Sequence, residues 1–367
     1  YKQQSHFIGQ RKIEKGGGTG SRARRTRTYG SKGVKHASIS VFVPHLACPN
    51  DCVFCNQKRI AGTEKPIADI DGFLAVACED LSDRFDEVDI AFFGGSFTGI
   101  EEPEMRRYLS AAARAREKYK KITGIRLSTR PDYISEHILD VLEEYRVTTV
   151  ELGVQSMNDA VLAASRRGHT AQDTEKAVEL IKKRAFSLIL QFMPGMPKDT
   201  DETIFATAEK IIAMKPDGVR IYPCVVIKDT ELEDLYLRGE FEPLSVEKAA
   251  DICAALIPRF EKEGIKVIRT GLHGSDLVKT QSVVGGPFHP AFGELVYSKI
   301  YLTAALSLLE KVRPKSDTVL YVAEGKTSQM TGQKRVNLEI LNKKYGVRFS
   351  VSEDGALKEF EVRSESK

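Results

Sequence analysis

The sequence predicts an α/β fold, a partial (β/α)6 barrel followed by a small α+β module. Short runs rich in Val, Ile and Phe recur between residues 37 and 225, each of the length of a buried strand. Segments with apolar residues at helical spacing separate them, and this alternation implies parallel strands joined by right-handed crossovers. Six such units are fewer than a closed barrel needs.

The strands are expected over 37–44, 88–93, 124–129, 149–155, 187–193 and 218–225. Helices are expected over 102–120, 171–184, 201–214 and 246–264. In the second of these, Ala177, Val178, Leu180 and Ile181 recur at helical spacing. Asp201 is a candidate N-cap for the third. In such a barrel the functional groups sit at the C-terminal ends of the strands. Beyond residue 265 the pattern changes: 269–273 and 285–292 read as loops, and a helix is expected over 294–309. The last segment reads as a strand at 318–323, a helix at 333–345 and a strand pair around Phe349 and Phe360. The organisation is therefore a basic extension (1–36), the barrel (37–265), loops and a helix that complete it (266–312) and the small module (313–367).

Composition excludes several classes. The 367 residues are 41% hydrophobic and 29% charged, the balance of a globular chain. No apolar run approaches the roughly 18 residues that span a bilayer, so no membrane role is expected. The first 36 residues lack the apolar stretch of a signal peptide. Six cysteines are too few for a disulfide scaffold in a chain of this length, so a reducing, cytoplasmic setting is expected. Residues 1–36 hold ten Lys or Arg against one acid, which leaves 45 basic and 50 acidic residues in the remainder. The net charge of +4 thus belongs to the extension, and the body carries −5. The extension could serve as a basic arm for RNA, but its low apolar content reads as disorder or as sequence upstream of the true start, with order beginning near Val34–Ala37.

The strongest chemical signal is Cys48, Cys52 and Cys55, a C-x3-C-x2-C run just after the first strand. Three thiolates within eight residues can converge on one centre. That centre is either a structural zinc, with His45 as fourth ligand, or a 4Fe-4S cluster with one iron open to a small molecule. Cys78, Cys224 and Cys253 are isolated, and Cys78 and Cys253 read as packing residues.

The cysteine spacing, with Phe54 before the last thiol, resembles the radical SAM superfamily. Gly94-Gly95-Ser96-Phe97-Thr98, one unit later, is similar to that superfamily's Gly-Gly motif, with Ser-Phe-Thr in place of the commoner Gly-Glu ending. An ordered series follows: Ser128-Thr129-Arg130-Pro131-Asp132, then Glu151 through Gln155 and Ser156, then Arg167-Gly168-His169-Thr170. It continues with Gln191 through Pro197, Ile221-Tyr222-Pro223, Arg269-Thr270-Gly271-Leu272-His273 and Gly286 through Phe292. The series resembles the catalytic subunit of Elongator, a tRNA wobble-uridine carboxymethylase, over residues 37–297. The oxygen-independent coproporphyrinogen oxidases share the earlier motifs more loosely.

That resemblance implies a TIM-like barrel of the radical SAM type, a 4Fe-4S cluster and S-adenosylmethionine. It implies that Cys48, Cys52 and Cys55 hold three irons and that Gly94, Gly95 and Ser96 hold the amino group of S-adenosylmethionine. Gln155 and Ser156 would orient its ribose or carboxylate, and Arg167 would pair with the carboxylate. An electron donor of flavodoxin or ferredoxin type and tRNA are the partners it implies. Only 70 residues follow Tyr297, too few for the acetyltransferase domain of that family, so acetyltransferase activity is not expected. Two other readings are a radical SAM enzyme for a small molecule and a zinc-stabilised RNA-binding protein without catalysis.

Arg130 and Glu151 read equally as a buried ion pair on the rim or as ligands, and His169 as a capping or packing histidine. His273 and His289 are candidates for shaping a substrate pocket, and Tyr222 for packing under the site or donating a proton. Residues 326–348 carry six basic groups against Glu339 alone. The stretch from Gln329 to Arg335 could offer backbone amides to phosphate, or the run is a solvated face.

Overall fold

Alternation of apolar and polar residues builds the first strands. β1 (His36–Val43) buries Ala37, Ile39, Val41 and Val43 on one face and carries His36, Ser38 and Ser40 on the other. β2 (Glu87–Gly94), β3 (Ile122–Thr129) and β4 (Thr149–Gln155) follow, each parallel to the one before. β5 (Ser187–Phe192), β6 (Gly218–Ile221), the short β7 (Val226–Ile227) and β8 (Lys266–Thr270) come next. The computed structural model describes residues 35–43, 52–56, 67–272 and 282–367. The basic extension up to residue 34, His45, Cys48 and His273 lie outside the described residues.

A seven-stranded sheet runs in the order β1-β2-β3-β4-β5-β6-β8. This is the α/β partial barrel that the sequence predicts, with one strand more. The extra strand, parallel to β6, takes in Arg269 and Thr270, which read as loop because a five-residue strand beside two glycine-flanked turns shows little periodicity. The sixth strand stops at Ile221 rather than Val225, since Pro223 cannot donate to a ladder. Val226–Ile227 pairs antiparallel with β9 (Val283–Gly285) instead.

Between the strands lie α1 (Ile70–Ser82), α2 (Glu102–Lys118), α3 (Glu136–Glu144), α4 (Asp159–Ala164), α5 (Ala171–Lys182) and α6 (Asp201–Ala213). Then come α7 (Glu231–Leu237), α8 (Val246–Lys262) and α9 (Phe292–Val312). The N-cap of α6 is Thr200, not Asp201. The Thr200 hydroxyl accepts from Thr203 N while the Thr203 hydroxyl accepts from Thr200 N, a reciprocal capping box that leaves Asp201 to face the helix dipole from the first turn.

The chain resolves into two compact units. The first comprises 1–51, 57–153 and 172–189. Its apolar sheet face is covered by α1 and α2. Phe92 of β2 stacks on Phe97 with centroids 4.5 Å apart, and Tyr108 of α2 meets both rings edge-on. The opposite face buries charge. Asp89 Oδ2 takes His36 Nε2 at 3.0 Å and faces Arg126 Nη1 at 3.7 Å, and Arg126 Nη2 lies 3.6 Å from Glu151. Gly124 makes room for this: a Cβ there would sit 2.4 Å from Asp89 Oδ1.

The second unit comprises 52–56, 154–171 and 190–367. Here α8 packs on α9, and the C-terminal module closes against α9. The module is a three-stranded sheet with β10 (Thr318–Val322) in the centre. β11 (Phe349–Glu353) pairs parallel to it and β12 (Val362–Ser366) antiparallel, so the two strands expected as a pair flank β10 instead. α10 (Thr327–Thr331) and α11 (Val336–Tyr345) cover one face, with a kinked 3-10 turn at Gln333–Arg335 where a continuous helix was expected. Tyr301, Leu309, Leu320, Met330, Leu341 and Phe349 form its core.

A half-buried carboxylate marks the seam between α8 and this module. Burial holds Glu261 up at about 7, Glu359 adds to the rise and Lys326, ion-paired to Glu359, opposes it. A carboxylic acid raised in the fold binds its proton where the unfolded chain has lost it. Its contribution to stability is therefore lost as pH climbs from the ordinary carboxylate value towards 7. Glu261→Gln should raise the melting temperature relative to wild type at pH 8 and less so at pH 5. Equal shifts at the two pH values would remove Glu261 from that role.

Candidate functional site

In the first unit, the motif Gly94-Gly95-Ser96 follows directly from the end of β2. Gly94 pairs with Val43 across the ladder and has φ +114, a region closed to side chains. A Cβ at this position would lie 2.5 Å from the Val43 carbonyl oxygen. The bare backbone therefore leaves a cradle that any other residue would fill. Ser96 is buried and its carbonyl accepts from Gly99 N at 3.0 Å.

The following turn is held from two sides. Phe97 is pinned by the aromatic stack. Thr98 Oγ1 donates to the Tyr133 carbonyl at 2.9 Å and receives the Thr129 hydroxyl at 2.7 Å. Arg130, 1% exposed, forks onto Asp132 through Nε at 2.9 Å and Nη2 at 2.7 Å and lies 5.4 Å over the Tyr133 ring. The end of β3 is thus a rigid buttress for the glycine loop. Buried Arg130 pairs with the exposed Asp132, and buried Glu151 faces buried Arg126, so the two do not pair with each other. The hydroxyl contact between Thr98 and Thr129 escaped the sequence reading, because no local pattern links residues 31 positions apart.

In the second unit the cysteine segment is stapled at both ends. Val53 N donates to Ser165 O at 3.2 Å, and Leu232 N donates to Val53 O at 2.8 Å. Asn56 Nδ2 donates to Asp229 O at 3.0 Å. Val53 packs with Val161, Met196, Cys224, Val226 and Leu232. Cys52 and Cys55 are joined by a turn in which Cys55 N donates to Cys52 O at 3.0 Å. Cys52 is buried, and Arg167 Nη1 donates to its sulfur at 3.6 Å. The guanidinium that the resemblance assigns to a carboxylate therefore lies on a motif sulfur. A buried sulfur in contact with a guanidinium is one that could ligate a metal.

Arg167 follows a turn with Arg166 at φ +49 and precedes Gly168 at φ +80, and its own N–H donates to Leu162 O at 2.9 Å. Gln155 ends β4 at φ +64, accepts from Met193 N at 2.9 Å and faces Gln191 Nε2 at 3.4 Å. The Ser156 hydroxyl is taken up locally by Asn158 N at 3.1 Å and Thr207 at 3.3 Å. His169 is buried with Nε2 on the Val154 carbonyl at 3.2 Å, the packing role expected for it. His289 Nδ1 accepts from Ala291 N at 3.1 Å and so caps the turn into α9. The Tyr222 hydroxyl receives Arg220 Nη1 at 3.1 Å.

The other thiols stand apart. Burial pushes Cys78 up to about 11 and Cys224 up to about 12, the latter with help from Asp199, and lifts Cys253 still further. They are packing residues. Among the described residues no helix is long and apolar enough to cross a membrane.

Residues 42–211 match the family model of the radical SAM superfamily, and residues 216–301 match that of the radical SAM C-terminal domain. A tRNA uridine(34) acetyltransferase of Methanocaldococcus infernus is 32% identical over 241 residues, 60% of this chain and 44% of the relative. Elongator complex protein 3 of Danio rerio is 30% identical over 204 residues, 49% of this chain and 37% of that protein. The chain spans less than half the length of these relatives. Among solved structures, the Elp3 of Methanocaldococcus infernus with an N-terminal deletion superposes at a TM-score of 0.55 and 25% identity, over 76% of this chain and 63% of that one.

Gly94→Ala should cost at least about 2 kcal/mol, from a forbidden backbone region and the overlap with Val43 O. Gly346→Ala, at φ +71 with nothing within 4 Å of the added methyl, should cost only about 1 kcal/mol. Thermal or denaturant unfolding of the two variants compares them, and equal losses would show that the close approach at Gly94 carries no special weight.

Proposed function

The chain belongs to the radical SAM superfamily, and on that premise we propose that it binds a 4Fe-4S cluster and S-adenosylmethionine and modifies a base of a tRNA or related RNA. The observation that carries the cofactor reading is Cys52, a buried motif sulfur stapled in place with the Arg167 guanidinium on it. Cys48, Cys52 and Cys55 would hold three irons, and Gly94, Gly95 and Ser96 the methionine amino group. When bound, this pair supplies one-electron reductive cleavage of the sulfonium to methionine and a 5′-deoxyadenosyl radical, the oxidising species for hydrogen abstraction.

The protein's own part is orientation and dryness. Gly94 lets backbone approach where a side chain would intrude. Thr98, Thr129 and Tyr133 fix the loop that carries Ser96. Gln155, Ser156 and Arg167 are the polar groups proposed for the ribose and carboxylate. Burial of Cys52 keeps water from its sulfur. An electron donor of flavodoxin or ferredoxin type would supply the reducing equivalent. The RNA substrate is supported by the likeness to proteins named for tRNA uridine 34.

Anaerobic reconstitution with iron and sulfide should load about four iron per chain. With dithionite and S-adenosylmethionine the loaded protein should release 5′-deoxyadenosine. A variant with Cys48, Cys52 and Cys55 all changed to Ala should do neither. A protein that takes up a single zinc and leaves S-adenosylmethionine intact would replace this reading with a zinc-stabilised binding module.

A further inference from the structure

The C-terminal module carries a cationic face that the cofactor chemistry leaves unused. Several cations of the module are paired: Lys326 with Glu359, Lys344 with Glu310 of α9 at 3.2 Å and Arg363 with Asp354 at 3.2 Å. Lys334, Arg335 and Lys343 are different. All three are exposed, and among the described residues no acidic group or hydrogen-bond acceptor holds their side chains.

The turn that presents the first two is built with care. Lys334 has φ +50 and Arg335 φ +67, consecutive left-handed conformations that residues with a Cβ rarely adopt. Asn337, 3% exposed, pins the turn from beneath. Its Nδ2 reaches the Ser298 carbonyl at 2.9 Å, the Ser298 hydroxyl at 3.0 Å and the Met330 carbonyl at 3.0 Å. Gly332 accommodates it, since a Cβ there would meet Asn337 Cγ at 3.0 Å. Two cations thus stand on a turn tied to the core, at a small entropic cost for whatever they bind.

Along α11, Val336, Ile340 and Lys343 fall on one face at helical spacing, and Val336 and Ile340 are 44% and 41% exposed. Lys343 lies about 12 Å along the axis from Arg335, roughly the rise of three to four nucleotides of a strand. Residues 326–348 carry a local +5 on a body whose total from residue 37 onward is −5. This face therefore attracts a polyanion that the rest of the body repels.

We propose that this face of α11 docks the sugar–phosphate backbone of the RNA substrate, with Lys334, Arg335 and Lys343 as phosphate contacts. The proposal rests on the reading of the substrate as RNA. A ten-residue helix with two exposed apolar side chains offers too little apolar surface to lie in a membrane.

The test uses the full chain, a fluorescent tRNA transcript and a salt titration. Wild type is compared with Lys334→Glu/Arg335→Glu/Lys343→Glu and with the conservative Lys334→Arg/Arg335→Lys/Lys343→Arg. The Glu variant should bind at least tenfold more weakly at low salt. Its dependence of log affinity on log salt should be shallower by about 2 to 3, since each phosphate contact contributes about 0.7 to 0.9. The conservative variant should bind like wild type. The Glu variant should melt like wild type and still cleave S-adenosylmethionine without RNA. A folded Glu variant with wild-type affinity and salt slope overturns the proposal and leaves the enzymatic reading standing. So does a charge reversal that abolishes binding to phosphatidylserine vesicles but leaves tRNA binding intact. A wild type that cleaves S-adenosylmethionine and binds no tRNA overturns both this proposal and the RNA substrate.

Discussion

The partly buried carboxylate of Asp89 ties the first three strands of the first unit together. A charge inside a sheet must be met by partners, or its desolvation would outweigh what neighbouring strands contribute. His36 from β1 and Arg126 from β3 meet it, and the missing side chain of Gly124 gives it room. A slip of one residue in any of these strands would bring an apolar side chain against Asp89 and send Arg126 to the helix-covered face. The ladder that ends at Val43 and Gly94 is thereby locked from its opposite end. Hydrophobic pairing favours the sheet, and the charges select one register of it.

Much of the fold was legible because its strands are short, apolar and separated by amphipathic segments. The predicted and observed limits of the first five strands agree to within two residues at each end. What escaped was of two kinds. β8 and the seven-residue α7 are short and lie beyond the regular alternation, so periodicity over a few residues did not reveal them. The kink before α11 depends on Asn337 reaching back to Ser298, a contact made by tertiary packing across 39 positions. Asp89 and Arg126 left a trace in the sequence, since each is a lone charge inside an apolar strand run, and a lone charge there calls for a partner across the sheet.

The candidate ligands were legible in the sequence, and the groups packed around them less so. Three cysteines and a double glycine announce themselves by spacing, whereas the groups that hold them in place are ordinary residues in ordinary contexts. Thr98 and Thr129 stand in two separate motifs of the sequence, and only the fold brings their hydroxyls to 2.7 Å. Arg167 carries a contact that position alone does not reveal: its guanidinium rests on the sulfur of Cys52. The likeness to relatives named for tRNA extends the proposal towards RNA, and the cations of the Gln333–Arg335 turn and of α11 offer it a surface.

The three thiols outside the motif have a bearing on durability. Cys78, Cys224 and Cys253 are buried and held as neutral thiols, the form least able to attack peroxide or another sulfur. When oxygen strips an iron–sulfur protein, the damage that cannot be reversed comes from thiolates that cross-link or over-oxidise far from the metal site. With the proposed cluster on Cys48, Cys52 and Cys55, the reactive thiols of this chain would be confined to the motif, and a chain stripped by air would be one that reductant, iron and sulfide can repair.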